Sequence, residues 1–162
     1  MKDPEFLNLL KNEGKLKLVD PSDEICSSYT EKSDKCLKAA KILLENELYE
    51  NSITMSYYVM YNILTALLFK TGIKCENHSA AIILLKLLFK ENELAKEVFT
   101  AKEERIDKQY YVATSENLSI SSAEDMLEKA ESFAIKVKAI INKVNGDFIQ
   151  KIRTEFDKLI RL

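Results

Sequence analysis

Apolar residues in this chain recur mostly at intervals of three and four. The series Cys26, Tyr29, Ser33, Leu37, Ala40 and Leu44 keeps to one stripe while Glu31, Lys32, Lys35, Lys38 and Lys41 fall elsewhere, the pattern of a helix with one face on a core. Asp20 as N-cap and Pro21 at the first helical position set its expected start. Residues 49–71 are apolar nearly all round, as suits a helix with neighbours on most sides, and Gly72 is expected to end it. A third helix is expected over 79–89. Its β-branched pair Ile82 and Ile83 would allow a strand, but no turn chemistry or partner strand lies nearby.

A fourth helix is expected over 93–111, followed by the polar loop "ATSENLSISS". Ser121 with Glu124 forms a capping box that opens a fifth helix, which ends at Asn145 and Gly146. A sixth starts at Asp147 and sets Phe148, Ile149, Ile152, Phe156, Leu159 and Ile160 opposite Lys151, Arg153, Asp157 and Lys158. Such a strongly amphipathic helix needs a groove, in its own chain or in a partner. Ahead of all these, a short apolar piece at Phe6, Leu7, Leu9 and Leu10 is broken by Gly14. The expected architecture is all-α: an N-terminal extension over 1–19, a bundle of five main helices over 20–145 and a C-terminal amphipathic helix over 146–162.

Composition agrees with that pattern. The length of 162 residues suits one domain, and 3 glycines and 2 prolines leave few positions for turns. A net charge of -2 supplies no global positive field, so a polyanion would have to meet a local patch. Cys26, Cys36 and Cys75 form no Cys-x-x-Cys pair and have one histidine, His78, to join them, which reads as reduced thiols in a cytoplasmic protein with no metal site. The N-terminus lacks the apolar run of a signal peptide. Residues 51–69 are uncharged and near the lower length of a membrane span, but Asn, Ser, Thr and three tyrosines along them favour a buried central helix and no membrane.

Counting excludes several chemistries. A di-iron bundle site needs Glu-x-x-His on two helices, and one histidine cannot supply both. Three isolated glycines cannot build a phosphate loop, and no nucleophile elbow is present. What remains is the cluster Tyr57, Tyr58 and Tyr61, the single His78, and the stretch "EERIDKQYYV". All but three of the 24 basic residues are lysine, and Arg105 in that stretch is the one mid-chain arginine.

The run "SITMSYYVMYNILTALLFKTGIKCENHSAAIILLKLLF", followed by "ERIDKQYY", resembles the HEPN family of small helical domains. The likeness lies in the branch of short stand-alone prokaryotic proteins often encoded beside a minimal nucleotidyltransferase, and it covers roughly residues 20–140. It rests on Tyr57 and Tyr58, the run through Met60 and Tyr61, Gly72 at a helix end, and His78 with Ser79 opening the next helix. Arg105 with Tyr110 falls where this branch has an arginine, four intervening residues and a tyrosine.

The resemblance implies a homodimer whose shared cleft is built around Arg105. Many HEPN proteins are metal-independent ribonucleases in which an arginine grips the scissile phosphate and a histidine moves a proton. Here Tyr110 stands at the histidine position, and a phenol with a pKa of about 10 is a poor base at neutral pH; Met55 stands where the branch has a second-helix arginine. The implied function is therefore binding of nucleotide or RNA, with a nucleotidyltransferase partner in a toxin–antitoxin-type pair and no cofactor. Arg105, Asp107, Tyr110, Tyr111 and Tyr57 are the implied binding residues. Arg105 and Tyr110 would be the catalytic pair if cleavage occurs, and Tyr110 or Tyr111 would take any adenylylation by the partner. A ribonuclease of the same fold and a non-enzymatic interaction module are the alternatives.

Plainer roles stand beside these. Arg105 could pair with Glu104, Asp107 or another helix's carboxylate, and His78 could be a satisfied polar residue at a helix entrance. Tyr57 and Tyr61, one turn apart, could be core aromatics and not base-stacking platforms.

Overall fold

The computed structural model describes residues 2–110 and 120–160, except for the side chains of 107–110. Seven helices and two short strands run in the order α1 (Asp3–Asn12), β1 (Leu16–Leu18), α2 (Asp23–Glu45), α3 (Tyr49–Lys70), β2 (Ile73–Cys75), α4 (His78–Leu87), α5 (Asn92–Tyr110), α6 (Ile120–Lys143) and α7 (Gly146–Ile160). The all-α expectation holds, with each expected helix in place.

The uncharged helix α3 is the axis of the fold. It packs along α2 and against α6, α5 and α4, and Ile53, Tyr57, Met60, Ile63, Leu64 and Leu67 on it are essentially inaccessible to solvent. It is long and apolar enough to cross a membrane, yet 72% of its most apolar window is buried inside the fold, so its hydropathy is spent on the core. Helices α2 and α3 approach closely because small residues line their seam. The Ser33 hydroxyl donates to the Val59 carbonyl and that of Ser52 to the Ala40 carbonyl, both at 2.8 Å. These two bonds fix an antiparallel hairpin and satisfy hydroxyls that would be costly to bury alone. Ion pairs Lys41–Glu131 and Lys138–Asp34 lace α2 to α6 along the outside.

Three local expectations shift. Helix α2 is capped not by Asp20 but by Ser22, whose Oγ accepts from the Ile25 amide at 3.1 Å. The preceding residues are occupied in closing against the end of α3: the Val19 amide donates to the Gly72 carbonyl and the Ser22 amide to that of Phe69. Helix α6 has begun by Ile120, so Ser121 and Glu124 lie inside the helix instead of forming its cap. Helix α7 begins at Gly146, one residue before the expected Asp147, with the Asn145 side chain accepting from the Phe148 amide at 2.9 Å.

The strand pair was not expected. β1 and β2 pair antiparallel, with Leu16 opposite Cys75 and Leu18 opposite Ile73, and Leu16 and Ile73 are fully buried. The short apolar piece at the N-terminus forms α1, which sends Leu7 and Leu10 into the same core. The amphipathic C-terminal helix finds its groove within its own chain: Ile152, Phe156 and Ile160 are buried, and α7 lies against α1.

Candidate functional site

Three helices bring polar and aromatic side chains together around His78. On α3, Tyr57 and Tyr58 are adjacent and Tyr61 follows Tyr57 by one helical turn. On α5, Lys102 and Arg105 are three residues apart and therefore share a face. His78 is placed by the start of α4, whose first turn is fixed by the Asn77 side chain accepting from the Ala80 amide at 2.9 Å. The β1–β2 pairing immediately before it leaves that start little freedom.

The imidazole lies flat against Tyr61, ring centroids 3.6 Å apart and planes 20° apart, and edge-on to Tyr58 at 6.3 Å. Its Nδ1 is 2.7 Å from the Tyr57 hydroxyl. The Arg105 guanidinium carbon sits 4.8 Å from the Tyr57 ring centroid and 5.7 Å from that of Tyr58, and Nη1 donates to the Tyr58 hydroxyl at 3.3 Å. Beside them the Lys102 ammonium donates to the Ser79 hydroxyl at 2.8 Å. Arginine suits this position because its plane stacks on aromatic faces and keeps its fork of donors for another group.

The electrostatics favour neutral side chains next to fixed cations. Burial, then Arg105 and Lys102, lowers the His78 pKa to about 4, so the imidazole is uncharged at neutral pH. Burial raises the Tyr61 phenol to about 12, and it raises that of Tyr57 despite the opposing pull of Arg105. None of the ion pairs among the described residues involves Arg105, and its Nε is buried without a hydrogen-bond partner. A guanidinium half-sheltered by aromatic rings and unneutralised by any described carboxylate is a ready receptor for an anion.

The tyrosine cluster and the histidine noticed separately in the sequence thus belong to one site with Arg105. Tyr57 is fully buried, so its ring is a core aromatic, and it serves the site by holding His78 and Arg105. Asp107 and Tyr110 lie in the last turn of α5 with side chains outside the described residues, and Tyr111 lies outside the described residues altogether. Sequence reading missed Lys102. Its three-residue spacing from Arg105 was the available signal, masked by the many solvated lysines around it.

The groove between α5 and α6 suits an anion less well than this cluster. About 510 Å³ in volume, it is lined by Glu93, Glu97, Glu104, Asp125 and Glu128 against only three lysines. Among the described residues no group of three or more His, Cys, Asp or Glu side chains is arranged to hold a metal ion.

Two proteins of Methanocaldococcus jannaschii, each named "Putative toxin", are similar to this chain. One is 26% identical over 113 residues, covering 67% of this chain and 82% of its own length; the other is 32% identical over 123 residues, covering 71% and 80%. The HEPN domain family matches residues 27–140, which take in α3, α4 and α5 whole and with them every residue of the cluster around His78: this chain belongs to the HEPN family.

Proposed function

We propose that this protein is a toxin-type HEPN domain that binds RNA or a nucleotide through Arg105, and that it works as a homodimer regulated by a nucleotidyltransferase partner. The observation that carries the reading is the state of Arg105: a guanidinium set against two tyrosine rings, with a buried Nε lacking a partner and no carboxylate against it among the described residues. A structural arginine in a bundle would ordinarily be neutralised. This one is oriented by aromatic rings instead, and a phosphate would complete its hydrogen bonds. The names of the two relatives support a toxin's role, and the resemblance to the branch encoded beside nucleotidyltransferases supports the partner.

The test is binding of a labelled oligoribonucleotide and of adenine nucleotides to the purified full-length chain, wild type against Arg105→Ala, at fixed salt. Binding that is lost in the variant while its melting temperature holds supports the reading. Equal binding by both proteins overturns it. Gel analysis of the same RNA reads cleavage directly, and co-expression with the neighbouring open reading frame reads the partner.

A further inference from the structure

We propose that His78 is a second ligand-binding residue of the Arg105 site, a neutral imidazole that donates through Nε2–H to a phosphate or ribose oxygen of the bound nucleotide or RNA. This role rests on the reading of Arg105 as an anion receptor, and it requires the ring proton to lie on Nε2. His78 Nδ1 and the Tyr57 hydroxyl are 2.7 Å apart, so one donates to the other. Tyr57 is fully buried, and its hydroxyl has no other partner among the described residues. If Nδ1–H were the donor, the phenolic proton would be left buried with nothing to accept it, at the cost of an unmade hydrogen bond. The arrangement that satisfies both groups has Tyr57 donating to Nδ1. The ring's proton then lies on Nε2.

Nε2 has no protein partner among the described residues, and it is not one of the buried side-chain atoms left without one. The ring that carries it is held in plane by Tyr61 and by the edge of Tyr58, the same tyrosine that Arg105 touches. Lys102 is anchored one residue along, on Ser79. Arg105, Lys102 and His78 Nε2 therefore offer hydrogen-bond donors from two helices, with no proton acceptor of suitable basicity among the described side chains of the cluster. A site of donors holds a phosphoester oxygen. It does not by itself remove a proton from a ribose hydroxyl.

His78 is the chain's one histidine, so its ring nitrogens give unambiguous NMR signals in labelled full-length protein. The expected spectrum at neutral pH is that of the Nε2–H tautomer. The Nε2 signal should move on titration with a short oligouridylate. Parallel titrations with AMP and inorganic phosphate identify the source: a response to AMP means that a mononucleotide suffices, and a response to oligouridylate alone means that a chain is needed. His78→Phe, which keeps the stack on Tyr61, should weaken binding about tenfold, as for one hydrogen bond to a charged group. Tyr57→Phe should restore a mixture of tautomers. An Nδ1–H tautomer in the wild type, or an Nε2 signal unmoved by a ligand that still depends on Arg105, would overturn the role of His78 and leave the Arg105 reading standing. Binding indifferent to both residues would overturn the two together.

Discussion

Arg153 and Gly72 meet where the end of α3 faces α7: the Arg153 Nη1 donates to the Gly72 carbonyl at 3.0 Å and to that of Val19 at 2.7 Å. A Cβ built on Gly72 would lie 2.1 Å from that same nitrogen and 2.6 Å from the Val19 carbonyl oxygen, and the residue has φ +77. Gly72→Ala should therefore destabilise the protein by about 1 to 3 kcal/mol through backbone strain, and by more through the contact with Val19. Urea unfolding checks this. Adding Arg153→Ala should relieve only the side-chain part, because the Val19 carbonyl is backbone.

The docking of α7 predicts large effects from its buried face. Phe156 is 2% exposed, and Phe156→Ala should cost about 3 to 5 kcal/mol as a cavity-forming truncation. Lys151 on the polar face is exposed, and Lys151→Ala should cost almost nothing. Thermal melting of the two variants separates docking from mere helicity, and a Phe156→Ala protein that melts like wild type would show that α7 is not held by its core contacts.

At Arg105 the planar fork matters as much as the charge. Arg105→Lys should weaken oligoribonucleotide binding nearly as much as Arg105→Ala, by about 1 to 3 kcal/mol for a charge-assisted contact. A lysine variant that binds like wild type would mean that the site reads charge alone. Stability should fall only slightly in either variant, since stacking of a guanidinium on tyrosine rings contributes about 1 kcal/mol.

Stability should also depend on His78 in mild acid. Its folded pKa of about 4 lies below the ordinary value of 6.5, so between those values the unfolded chain takes up the proton that the folded chain refuses. The contribution is fully present above about pH 6.5 and is lost as pH falls towards 4. Because the ring is only partly buried, solvent screening reduces the effect to about 1 to 2 kcal/mol. Urea midpoints for wild type and His78→Phe should converge as pH drops from 7 to 4.5, and parallel curves would contradict the prediction.

The helices were legible because burial imposes a period. The stripe from Cys26 to Leu44 and the all-round apolarity of α3 each follow from how many neighbours a helix has. The β1–β2 pair was not legible: three-residue strands carry too few alternations to register, and their stability comes from pairing partners about 57 residues apart, which no local window contains. The Asp20 cap failed for a similar reason, since Val19 and Ser22 are engaged by the end of α3. Of the candidate site, Arg105 stood out by rarity and the tyrosines by clustering. That His78 would lie against Tyr61 was invisible, because the contact joins two helices across the turn at Gly72 and the strand after it.

The strand pair and Arg153 also bear on where this protein can be cut. The family match spans 27–140, yet Leu16 lies across from Cys75, three residues before His78, and Arg153 closes over the carbonyl of Gly72. Segments from both ends of the chain thus brace the short stretch that sets the position of the imidazole. A fragment trimmed to the recognisable domain would retain every side chain of the cluster while losing its scaffold, and the cooperative folding unit is correspondingly wider than the evolutionary one.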